Sequence, residues 1–67
     1  MIKWWGYLHK DGTLHLKRYF DRRDIQEATE SPFVRQAWGP FQTDDIEEAH
    51  QMLRADAAEY EQLYNDS

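Results

Sequence analysis

The dipeptide Asp11-Gly12 stands between two runs rich in aromatic and aliphatic residues, WWGYL before it and LHLKRYF after it. An Asp-Gly pair accepts the left-handed backbone of a tight turn, so residues 3–20 read as a β-hairpin. Directly opposed residues of a hairpin share a face, and a slip of one residue exchanges the faces. A two-residue loop would pair Lys10 with Thr13 and set Leu8 against His15, mixing apolar with polar positions. A three-residue loop over Lys10-Asp11-Gly12 pairs His9 with Thr13, Leu8 with Leu14, Gly6 with Leu16, Trp4 with Arg18 and Ile2 with Phe20. One face then carries Ile2, Trp4, Gly6, Leu8, Leu14, Leu16 and Phe20. The other carries Lys3, Trp5, Tyr7, His9, Thr13, His15, Lys17 and Tyr19. That separation selects the three-residue loop, with Leu14 and Leu16 expected in the core and Thr13 and Lys17 in solvent. Arg18, on the apolar face, is expected to stack on Trp4 or to pair with a helix acid.

Asp21 is suited to cap a short helix over residues 22–29, with Asp24 approximating a capping box and Phe20 stapling to Ile25. Ser31-Pro32 should end it, because a residue before proline avoids the α region. Residues 33–38 form a third strand with a weaker alternation, closed by Gly39-Pro40. Thr43 or Asp44 caps a last helix reaching about residue 64. At 100° per residue, Ile46, Ala49, His50, Leu53, Ala57, Tyr60 and Tyr64 make one stripe suited to cover the sheet. A helix of that length spans roughly 30 Å, so its C-terminal turns should overhang the hairpin. The expectation is an α+β fold in one small domain over residues 1–67, ordered ββαβα. A three-stranded antiparallel sheet is packed by one long C-terminal helix and one short helix.

A chain of 67 residues lies near the lower limit for a core without staples. It has no cysteine, which favours a reducing interior over secretion. No apolar run approaches membrane-spanning length and the N-terminus lacks a signal-peptide core, so no membrane association is expected. The net charge of −5 is unevenly spread. Residues 1–23 hold six basic against two acidic side chains, a net of +4, and residues 24–67 hold two against eleven, a net of −9. Such an imbalance bears on partners more than on fold.

The residues offer no catalytic constellation. His9, His15 and His50 lack a second histidine or a carboxylate at ligand spacing on one element. Asp44-Asp45 and Glu47-Glu48 are sequence neighbours whose side chains point apart. Ser31 and Ser67 have no base nearby, and the three glycines serve turns and strand packing. No cofactor or metal is expected, and the function is expected to be binding without catalysis.

The string WGYLHKDGTLHLKRYFD, followed by ESPFV and then GPF before an acidic helix, resembles a family of small uncharacterised phage and mobile-element proteins. The likeness extends as far as Leu53 and brings no site residue with it. Compactness, acidity and the lack of a catalytic motif also make the chain similar in character to phage anti-CRISPR proteins. That likeness implies an intracellular inhibitor acting in the host cytoplasm.

Asp45, Glu48, Asp56, Glu59 and Asp66 fall on one flank of the last helix, with Met52 and Leu63 at the intervening turns. The ordinary reading is a solvated helix face, and acids in a first turn are expected because they complement the helix dipole. Asp56, Glu59, Glu61 and Asp66 lie toward the negative end without basic partners four residues on, and there that reason fails. The candidate binding surface is Asp45, Glu48, Met52, Asp56, Glu59 and Asp66. Acids three or four residues apart rise by about 4.5–6 Å along a helix, comparable to phosphates on one nucleic-acid strand. The expected partner is a protein with a basic nucleic-acid-binding groove, such as a CRISPR effector subunit, held mainly by charge. The alternative site is the outer hairpin face, where Trp5, Tyr7, Lys17 and Tyr19 resemble a base-stacking platform with phosphate contacts. The overall charge disfavours direct nucleic-acid binding. A third reading is a phage accessory protein, monomeric or weakly dimeric through Trp5 and Tyr7.

Overall fold

The structure, a computed structural model, describes the backbone over residues 1–65 and the side chains over residues 1–63. Its elements follow in the order ββαβα: β1 (Lys3–His9), β2 (Leu14–Arg18), α1 (Arg22–Glu30), β3 (Val34–Gln42) and α2 (Ile46–Asn65). The sheet is antiparallel with β1 in the centre, in the order β2-β1-β3. No helix among the described residues is long and apolar enough to cross a membrane.

The hairpin has the register expected from the separation of its faces: Trp4 pairs with Arg18, Gly6 with Leu16 and Leu8 with Leu14. Gly12 takes a φ of 95° at the turn, and its N–H donates to the His9 carbonyl over 2.9 Å. A residue with a side chain would be strained there. The Arg18 guanidinium lies 5.9 Å from the Trp4 ring, as its opposition to Trp4 implies.

The two faces of β1 are each covered by a helix. Leu53 of α2 lies against Gly6, and Ala49, Leu53 and Ala57 are the buried residues of that layer. Ala28 of α1 shares a cavity with Trp5, Tyr7 and Val34 on the opposite face. The core accordingly gathers on the central strand, where Trp4, Trp5 and Leu8 are all buried.

This arrangement corrects the expectation for β2. Leu14 is 36% exposed, Leu16 is half-buried and Phe20 is 81% exposed. An edge strand has a neighbour on one side only, and α2 settles over the centre of the sheet. Phe20 therefore does not reach inward to staple Ile25, and its ring lies 5.8 Å from the Arg18 guanidinium. Asp21 does cap α1, accepting from the Arg23 N–H over 3.2 Å. Asp24 accepts from the Phe20 N–H at 3.5 Å in place of the capping-box donor. Ser31 ends the helix with an extended backbone, as the proline after it requires.

Strand β3 runs through Gly39-Pro40 to Gln42, past the expected stop at Trp38. Pro40 has no N–H to give, which an edge strand tolerates. The register shifts twice, so Val34 faces His9 and Gln36 faces Leu8, and Trp38 faces Gly6 and Phe41 faces Trp4. Each shift places an extra residue in β3 and exchanges its faces. Gln36, Trp38 and Phe41 thus look toward α2, whereas Val34 and Ala37 look toward α1. This is why the alternation is weak in the sequence. At the second bulge Gly39 has a φ of 134°, and a β-carbon there would meet the Trp5 β-carbon at 2.9 Å.

Helix α2 is capped by Asp45, whose carboxylate accepts from the Glu47 N–H over 3.0 Å, and not by Thr43 or Asp44. Those two residues brace the approach. The Thr43 hydroxyl accepts from the Asp45 N–H, its carbonyl accepts from the Trp4 indole N–H, and Asp44 accepts from the Ile2 N–H. The helix is also rotated from the expected stripe. Ile46 is 52% exposed and His50 is exposed, whereas Met52 and Asp56 are half-buried. On this flank the Trp38 indole meets Tyr60 at a centroid distance of 5.7 Å. Glu61, Gln62 and Leu63 are exposed, consistent with an overhanging end. Tyr64, as a side chain, and Asp66 lie outside the described residues.

Candidate functional site

The acidic flank of α2 divides into parts with different roles. Asp45 is occupied by capping, so its carboxylate serves the helix first. Glu48 is exposed, and Met52 is half-buried between it and the next turn. Asp56 and Glu59 enter a groove of about 250 Å³ with Gln36, Trp38, Tyr60 and Leu63. Asp56 is half-buried there, and Leu63 at the far end is 72% exposed.

Sequence periodicity brings Glu48, Asp56 and Glu59 onto one flank, and the structure keeps them there. It does not reveal Gln36, Trp38 and Tyr60 as walls of the same groove. Those residues face α2 only because the bulges of β3 set its faces. The available signal was Trp38 itself, a large aromatic next to a Gly-Pro pair in a strand of poor alternation.

Among the described residues no Lys or Arg pairs with an acid. The one histidine–carboxylate contact among them, His9 Nδ1 to Asp11 at 3.1 Å, is an ion pair only when His9 is protonated and involves no residue of α2. The carboxylates of Glu48, Asp56 and Glu59 therefore have no Lys or Arg within 4.0 Å among the described residues. Such pairs contribute little at a surface, but their absence leaves the negative potential of the flank uncompensated.

The rival face is built differently from expectation. Trp5 is only 6% exposed, enclosed by Gly39 and the α1 layer, so its ring is closed to a stacking base. Tyr7 and Tyr19 are half-buried and Lys17 is exposed. Tyr7 stacks on His15 at 4.9 Å and has the Lys17 ammonium 5.9 Å from its ring centroid. The cleft beside them, of about 320 Å³, is walled on the α1 side by Asp24 and Glu27. Two carboxylates facing the same cleft oppose a phosphate backbone.

At the hairpin tip, Thr13 donates both its hydroxyl and its N–H to Asp11, over 2.6 and 2.9 Å. These bonds favour the ionised carboxylate and, with His9 adding attraction, draw its pKa down from 3.8 to about 2. The tip is thus a locally braced turn.

Comparison of the chain with family models, curated proteins and solved structures gave no match. The functional reading accordingly rests on the geometry of its own residues.

Proposed function

We propose that this protein works by non-catalytic binding, its α2 occupying a cationic groove on a nucleic-acid-handling protein in place of the nucleic acid. The observation that carries this reading is the uncompensated flank of Glu48, Asp56 and Glu59, which ends in an exposed Leu63. Asp56 and Glu59, three residues apart, are separated by about 4.5 Å along the helix axis, close to the spacing a strand-binding groove is built to meet. Charge supplies steering and a salt-sensitive part of the affinity. Leu63 and the rim of Trp38 add apolar contact that a phosphate strand lacks. In this reading the protein is an inhibitor similar in character to phage anti-CRISPR proteins, acting inside the host cell, with a CRISPR effector subunit as one target class.

The test is capture from host lysate, with and without nuclease, by three forms of the chain. The wild type should retain a basic nucleic-acid-binding protein whether or not nuclease is added. Asp56→Lys with Glu59→Lys should lose it, and Lys3→Glu with Lys17→Glu on the hairpin should keep it. Loss in the hairpin variant with retention in the helix variant would overturn the proposal and transfer function to the sheet.

A further inference from the structure

The α2–β3 groove sets an aromatic ring beside carboxylates with no cation of the protein's own among the described residues. Four other rings have one: Lys10 is 4.6 Å from the Phe33 centroid, Lys17 lies beside Tyr7, and Arg18 lies beside Trp4 and Phe20. Trp38 has no such cation among the described residues, although two carboxylates share its groove. We infer that this groove receives a single arginine side chain of the partner protein, its guanidinium paired with Asp56 and Glu59 and stacked on the Trp38 indole. The inference rests on the binding role proposed above and specifies how its central contact is made.

Size, charge and ring geometry agree on this occupant. A volume of about 250 Å³ falls below the range of drug-sized ligand sites, roughly 300–1,000 Å³, and suits one long side chain. Among the described residues the lining contains no Lys, Arg or His, and its carboxylates are those of Asp56 and Glu59. The side chain of half-buried Asp56 has neither a hydrogen bond nor an ion pair among the described residues, which leaves its carboxylate free to take a counter-charge. Asp56 and Glu59 are three apart on the helix and so adjacent on its surface, which lets one planar fork of donors reach both. Trp38 meets Tyr60 at 75° and is half-buried, so part of its indole stays accessible from the groove.

Arginine fits better than lysine for physical reasons. The guanidinium is planar, weakly hydrated and able to stack while donating sideways to carboxylates. An ammonium keeps its water and offers no plane to an indole. Gln36 lines the same groove, and its side-chain amide can accept from a remaining N–H.

The experiment titrates the ¹⁵N-labelled full chain at low salt with acetyl-Gly-Arg-Gly-amide and, separately, acetyl-Gly-Lys-Gly-amide. The arginine peptide should shift the Trp38 indole N–H and the amides of Asp56 and Glu59, leaving Trp5 and Tyr7 unmoved. The lysine peptide should bind about threefold more weakly, the difference expected from ring stacking at an exposed site. Asp56→Asn and Glu59→Gln should each weaken the arginine response, and these isosteric changes carry the test if Trp38→Leu fails to fold. Equal responses to both peptides, or shifts spread over Glu47, Glu48 and Glu61 with Trp38 static, would overturn the pocket and leave the cationic-groove reading standing. No response to either peptide would also overturn it, and the charge-reversal capture would then judge the wider proposal separately.

Discussion

Leu53 of α2 fills the space that a side chain at Gly6 would need. A β-carbon on Gly6 would lie 2.5 and 2.6 Å from the two Leu53 methyl carbons and 2.8 Å from the His15 carbonyl oxygen. Leu53 is 1% exposed, so this contact sets how closely α2 lies on the sheet.

Gly6→Ala should therefore destabilise the fold by about 1–3 kcal/mol, as overpacking does, read by urea unfolding. Leu53→Ala should cost about 2–5 kcal/mol. The double variant should lose less than the two losses combined, because truncating Leu53 relieves part of the crowding. Strict additivity would show that the two residues do not meet.

Thr43 links α2 to the sheet, being 6% exposed with its hydroxyl, N–H and carbonyl all bonded. Thr43→Val keeps the shape and both backbone bonds but removes the acceptor for the Asp45 N–H. It should destabilise by about 1 kcal/mol, measured by denaturant unfolding followed in the far-ultraviolet. No loss of stability would mean that water replaces the hydroxyl without penalty.

Asp11 provides a pH-dependent contribution. Its pKa in the folded chain is lowered from 3.8 to about 2, so its stabilising effect is complete above 3.8 and fades as the pH falls toward 2. Asp11→Asn should be less stable than wild type near neutral pH, and the difference in melting temperature should shrink between about pH 4 and pH 2. A difference that stays constant through that window would assign the effect to something other than the Asp11 charge.

The acidic groove should be dispensable for folding. Asp56→Asn and Glu59→Lys should each change stability by less than about 0.5 kcal/mol, since neither carboxylate has an ion-pair partner among the described residues. Thermal unfolding checks this. A drop of several degrees for Asp56→Asn would reveal a structural role for its charge and confuse any loss of binding with loss of fold.

The hairpin register, the Asp21 cap, the stop before Pro32 and the existence of α2 were all legible in the chain. Each depends on residues close in sequence: opposed pairs across a short loop, a carboxylate beside its N–H, a proline ring against the preceding residue. The common flank of Glu48, Asp56 and Glu59 was legible for the same reason, since helical spacing alone aligns them. The sequence could not reveal that β1 would be central, which leaves Leu14 at an edge and Phe20 exposed. Nor could it show that α1 would close over Trp5, removing the stacking platform that its aromatic neighbours suggested.

Local chemistry alone determined the elements, their order and the acidic flank. Tertiary structure decided which way the elements face. The bulges of β3 exist only against β1, because a strand has no register without a partner. They turn Gln36 and Trp38 toward α2, where Trp38 meets Tyr60 and Asp56 lies half-buried in the groove while His50 stays in solvent. A helical stripe in a sequence specifies which residues share a face, but the final rotation depends on the shapes of the distant side chains the helix packs against.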